Sequence, residues 1–215
     1  MPKSAAIKFP AEFLTSVPVG KHIAMYHNNE RYGEMMKLWY LANGLIQGES
    51  AVYVTQGDPG VVRKWMKEKG VDVDYYEHVR HLLYVRKVAD PFLNPRGLDE
   101  GMREMCHQIF NGVGYPCRVT GSSIAITEDL ERMSLNLEVE RNAMAAFEGK
   151  VEPNSPYQVL NGFEGSVLCH YNIAPARSIS EVNSSWLNDN MLSHHAYVIQ
   201  VTDSENERRQ SAHLN

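Results

Sequence analysis

Cysteine is scarce: Cys106, Cys117 and Cys169 are the only three in 215 residues. They are odd in number, far apart and without C-x-x-C spacing, so the sequence predicts reduced thiols in a cytoplasmic protein and neither a disulfide framework nor a zinc ribbon. The opening MPKSAAIKFPAEF has no apolar core of signal-peptide length, and no later stretch approaches the roughly 20 apolar residues that span a bilayer. Positive charge is not in excess either. A formal net charge of -5 and a sequence pI near 6.0 give no electrostatic reason to expect nucleic acid or an anionic membrane as partner.

The parts of a phosphate-handling enzyme are missing as well. The turn Tyr26-His27-Asn28-Asn29-Glu30-Arg31-Tyr32 holds no glycine and no lysine. A phosphate loop needs glycines so that backbone N–H groups can approach, and a lysine for charge. The later segment Arg118-Val119-Thr120-Gly121-Ser122-Ser123 offers no acid for magnesium. Two independent parts of phosphoryl transfer are therefore absent, and no catalytic residue is assigned.

What is present reads as alternating strands and helices. His22 to His27 is a short strand ended by Asn28-Asn29-Glu30. From Tyr32 the apolar residues Met35, Met36, Trp39, Tyr40, Leu45 and Ile46 approximate helical spacing, with Arg31, Glu34 and Lys37 turned to solvent. Ala51 to Thr55 follows the Gly48-Glu49 break as a second strand, a pattern that predicts a right-handed parallel crossover. Asp58 and Pro59 form an N-cap and first helical position for a helix ending at Gly70. Further strands are predicted at Leu82–Val88, Pro116–Ser122, Val167–Asn172 and Ala196–Val201. Helices are predicted from Leu98 to Phe110, from an N-cap at Thr127 through Phe147, and briefly around Trp186 to Leu192.

The expected architecture is a single α/β domain, a mostly parallel sheet with helices on both faces. Residues 1–19, with Pro2, Pro10 and Pro18, form an N-terminal arm, residues 20–202 the domain, and residues 203–215 a polar tail.

An ordered set of short pieces resembles the MEDS domain, a sensory domain of methanogens and methylotrophs similar in fold to the RecA and KaiC group of ATPases. The pieces are His22 and Tyr26, Gly44-Leu45-x-x-Gly48-Glu49 before Ala51 to Val54, Gly70 to Val73, Glu140, Val167 to Tyr171, and His194 to Ile199. The resemblance implies a RecA/KaiC-like sheet and a non-enzymatic sensory or regulatory role, with a small, possibly hydrocarbon-derived ligand. It also implies signalling through a separate kinase or transcription regulator, or through a homo-oligomer. It carries no ligand contacts over residue by residue.

The candidate site follows from the rule that open parallel sheets bind ligands outside the carboxyl ends of their strands. Tyr26, His27 and Tyr171 are expected to line or gate that pocket, Gln56 and Ser122 to supply hydrogen bonds, and Glu140 to orient a basic group. No cofactor and no metal is assigned. Glu138 and Glu140 lie about 200° apart around a helix and form no acid–base pair. His27, His170, His194 and His195 have metal-binding chemistry, but adjacent strand residues point to opposite faces, so a structural role ranks ahead of a metal. Glu49 reads equally as a turn residue, Cys117 as a buried thiol, and Trp39, Trp65 and Trp186 as core. The alternatives are a nucleotide-binding, non-hydrolysing assembly partner and, more weakly, a histidine-dependent metal enzyme.

Overall fold

The computed structural model describes residues 5–6, 10–122, 124–125, 130–172 and 195–201. In chain order its elements begin with β1 (Ala5–Ala6), α1 (Pro10–Thr15), β2 (Lys21–His27), α2 (Glu30–Gln47), β3 (Ser50–Thr55) and α3 (Pro59–Glu68). A π-helical turn at Tyr75–Val79 leads into β4 (Leu83–Lys87), followed by a 3-10 turn, α4 (Leu98–Phe110), β5 (Cys117–Gly121) and β6 (Ile124–Ala125). Then come α5 (Leu130–Phe147), a second 3-10 turn, β7 (Gly165–Asn172) and β8 (Tyr197–Val201).

Among the described residues, all eight strands join one sheet in the order β1-β8-β2-β7-β5-β3-β4, with β6 beside β7, and every pairing is parallel. Six of the eight are the predicted strands. The additions, β1 and β6, are two residues long, too short to leave a periodic signal.

Strand alternation builds two cores. Ile23, Met25, Ala51, Tyr53 and Leu168 pack with Met36, Tyr40, Leu41 and Met66 on the face covered by α1, α2 and α3. Val52 and Val119 pack on the other face with Ile109 of α4, Phe147 of α5 and Phe163. Helices on both faces leave the central strands no wet side, so β3 is buried almost throughout. No helix among the described residues is long and apolar enough to cross a membrane.

Local signals set several boundaries. Asp58 caps α3 by accepting from Gly60 N at 2.8 Å, with Pro59 next. Gly48 closes α2 in the left-handed region at φ 83°, where a side chain would be strained.

The phase of α2 corrects the sequence reading. Met35, Trp39 and Ile46, assigned to its apolar face, are 51%, 46% and 75% exposed, whereas Lys37, assigned to solvent, is 2% exposed. The helix buries Gly33, Met36, Lys37, Tyr40, Leu41, Gly44 and Leu45 instead. Gly33 and Gly44 set that face, because there the helix backbone lies against His170 and the Arg118 side chain with no room for a Cβ. The predicted helix around Trp186 to Leu192, the Thr127 cap, Ser123, His194 and the 203–215 tail lie outside the described residues.

Candidate functional site

β2 sends its polar side chains to both faces, and each meets a different cluster. His22 and Tyr26 share one parity and face α5, while His27 has the other parity and faces α2. β7 lies in register beside it, with His22 opposite Val167, Ala24 opposite Cys169 and Tyr26 opposite Tyr171. Cys169 and Tyr171 thus flank His22 and Tyr26 on the α5 side.

The focus there is Glu140 of α5, a carboxylate only 5% exposed. Its Oε2 lies 3.0 Å from His22 Nε2 and 3.3 Å from His195 Nε2, while the Tyr171 hydroxyl donates to Oε1. Cys169 Sγ is 3.1 Å from His22 Nε2 and 3.9 Å from Glu140 Oε2. Phe147 stacks on the His22 ring at 5.5 Å, and Tyr26 stacks on Tyr171 at 5.0 Å. His195 is brought in by backbone, since Ala196 N donates to His22 O at 2.9 Å where β8 joins the sheet.

The charges follow from this packing. Burial acts to raise the Glu140 pKa, but His22 and then His195 override it and hold the carboxyl well below its usual range. Burial, reinforced by Glu140, pushes the Tyr171 hydroxyl and the Cys169 thiol well up. Glu140 is thus an ionised acceptor beside two imidazoles, with the Tyr171 hydroxyl and the Cys169 thiol held neutral. The Tyr26 hydroxyl is buried and has no hydrogen-bond partner among the described residues.

On the α2 face, His27 and His170 stack at 4.1 Å against the backbone of Gly33. Glu30 Oε2 lies 4.0 Å from His27 Nε2 and accepts from Asn172 Nδ2 at 2.8 Å. Lys37 Nζ sits 5.7 Å from the centre of the Tyr53 ring. Burial lowers the His27 and Lys37 pKa values and, together with Lys37 and His27, takes His170 down to about 2.

The six sequence-derived candidates therefore divide. Tyr26, Glu140 and Tyr171 converge, and His27 belongs to the opposite face. Gln56 and Ser122 are exposed at the ends of β3 and β5, where Ser122 Oγ donates to Thr55 Oγ1 at 3.3 Å. β3 stands three strand spacings from β2, about 14 Å, too far for a shared contact. Glu138 is exposed while Glu140 is buried, as their angular separation requires. Glu49 is a structural partner of Arg118 at 2.6 Å, and Cys117 is a buried thiol whose pKa is pushed up to about 12 by burial.

Sequence reasoning left out three site residues: His22 and Cys169, which it did not weigh, and His195, which it weighed as a metal ligand and ranked as structural. Strand parity would have found two of them, since His22 lies four residues from Tyr26 and Cys169 two from Tyr171. No family model matches the chain, and neither does any curated protein.

Proposed function

We propose that this chain is a non-enzymatic sensory domain that binds a small ligand on the α5 face of its sheet, against Tyr26, Tyr171 and Glu140. The observation that carries this reading is the Tyr26 hydroxyl, buried without a hydrogen-bond partner among the described residues, in a ring stacked on Tyr171. A buried hydroxyl left unsatisfied costs about 1–3 kcal/mol, a cost that a functional site tolerates when a ligand atom supplies the missing bond. The surrounding rings favour a largely apolar body bearing one polar group. Both tyrosines lie one residue before the carboxyl ends of β2 and β7, where parallel sheets place ligands. The convergence of His22, Tyr26, Glu140, Tyr171 and His195 also supports the MEDS resemblance, because separate pieces of that likeness meet at one point.

The test is a thermal-shift screen of small organic molecules on the full chain and on Tyr26→Phe. Hits are expected to raise the melting temperature of the wild type, and Tyr26→Phe to lose that response. A response unchanged in Tyr26→Phe would move the pocket elsewhere.

Nucleotide binding without hydrolysis is a less favoured reading. It draws on buried Lys37 and on the first turn of α2. That turn presses on two imidazoles and carries Glu30, so a phosphate there would face a carboxylate and no glycine-lined cradle.

A further inference from the structure

The geometry points to a divalent transition-metal site of the zinc class, held by His22, Glu140, Cys169 and His195. This goes beyond the receptor reading and stands or falls separately from it. The four donor atoms all lie within 4.8 Å of one another and come from β2, α5, β7 and the segment entering β8. Zinc bonds of about 2.0–2.3 Å in a tetrahedron separate the ligand atoms by about 3.3–3.7 Å. The separations here, 3.0 Å for His22 to Glu140, 3.1 Å for His22 to Cys169, 3.3 Å for His195 to Glu140 and 3.9 Å for Cys169 to Glu140, bracket those edges. A hydrogen-bonded network alone does not require a thiol, two imidazoles and a carboxylate to converge on one point, whereas a tetrahedral cation does.

The donor chemistry and the outer contacts agree with this assignment. One thiolate, two imidazoles and one carboxylate make a borderline-soft set that suits zinc over magnesium or calcium. A dication would neutralise the carboxylate and the thiolate together, which resolves how two acids share a buried place. The Tyr171 hydroxyl on Oε1 leaves Oε2 to the metal, and Phe147 fixes the plane of the His22 ring. The His27, Glu30 and His170 group is the weaker candidate because Glu30 lies at the surface and already accepts from Asn172.

Binding converts the Cys169 thiol to a thiolate and releases its proton to solvent, with no redox change. Affinity should accordingly rise with pH. The full chain, grown with zinc and freed of loose metal, is expected to retain stoichiometric zinc by elemental mass spectrometry. After stripping, cobalt(II) should give a thiolate charge-transfer band together with the intense visible bands of a tetrahedral ion. Cys169→Ser should lose the charge-transfer band, and Tyr171→Phe should weaken cobalt binding about 10–100-fold. If Cys169→Ser does not fold, alkylation of the wild type reads the same contact: zinc should protect Cys169 while leaving the labelling of Cys106 and Cys117 unchanged. A purified chain without zinc, whose melting temperature added zinc does not move, overturns the proposal. So does a cobalt adduct lacking the charge-transfer band, which would place the ion at the histidines of the α2 face. Loss of the metal with the Tyr26-dependent small-molecule response intact would sink this site and spare the receptor reading.

Discussion

Gly33 has a defined steric task, since a methyl group there would run into His170 Nε2 and come 2.7 Å from His27 Nε2. Alanine in a helix interior normally gains about 1 kcal/mol over glycine. Here overpacking should reverse the sign, and Gly33→Ala is expected to destabilise by about 1–3 kcal/mol in urea unfolding. His170 makes a second prediction. Its folded pKa of about 2 lies below the ordinary 6.5 because burial, Lys37 and His27 disfavour its charged form. Below pH 6.5 the unfolded chain takes up a proton that the folded chain refuses. Stability is therefore full above that pH and falls as acid is added, with His27 acting in the same direction and Glu140 adding its loss only below the ordinary carboxyl value of 4.5. The urea midpoint should begin to drop just below pH 6.5, and His170→Gln should flatten that first part of the slope. Tyr26→Phe should act in the opposite sense to most core changes: deleting an unsatisfied hydroxyl is expected to stabilise the ligand-free chain by about 1–3 kcal/mol. Destabilisation on calorimetry would mean that the hydroxyl is already satisfied and would remove the main support for the receptor reading.

Among the elements, α1 is held by donors aimed at its last carbonyls. Arg118, 1% exposed, bonds Leu14 O at 2.7 Å and Thr15 O at 3.3 Å, along with Tyr40 O and the Glu49 carboxylate, and Gln47 Nε2 reaches Thr15 O at 2.6 Å. A cation at a helix C-terminus satisfies orphan carbonyls and favours the dipole. Removing it strands several acceptors and one carboxylate. Arg118→Leu is expected to cost about 3–5 kcal/mol and to speed hydrogen exchange across residues 10–19; an unchanged exchange pattern would show that α1 docks by apolar contact alone. Lysine should not rescue, because it lacks the planar fork. The same region shows where the sequence was silent. α3 and α4 were readable because Asp58-Pro59 and the stripe through Met102 and Ile109 are local signals. The phase of α2 was not, because its buried face is set by Gly33 and Gly44 and by a lysine whose burial depends on distant strands.

At the scale of the whole molecule, the alternation of strand and helix was enough to establish a parallel sheet covered on both faces. The strand order was not legible, since nothing local tells β7 to lie between β2 and β5. That order brings Tyr171 to Tyr26 and keeps Gln56 away, whereas Ser122, at the end of the strand next to β7, bonds Thr55 and Tyr53 and so turns to the α2 face. Three of six site candidates thus came together, and each was a side chain of the right strand parity or helix face. The turn that lacks glycine and lysine makes a prediction at this scale. Millimolar magnesium-ATP should leave the melting temperature unchanged and undergo no hydrolysis, and a rise of several degrees would favour the nucleotide reading.

The Glu140 cluster draws on residues 22, 140, 169 and 195. During synthesis, the first imidazole waits through most of translation for its carboxylate, and longer still for the second imidazole. The site is thus among the last parts to be made: a chain stopped between residues 172 and 195 would contain β2 to β7 but lack the second imidazole, so a complete cluster would report that translation had run at least to residue 195.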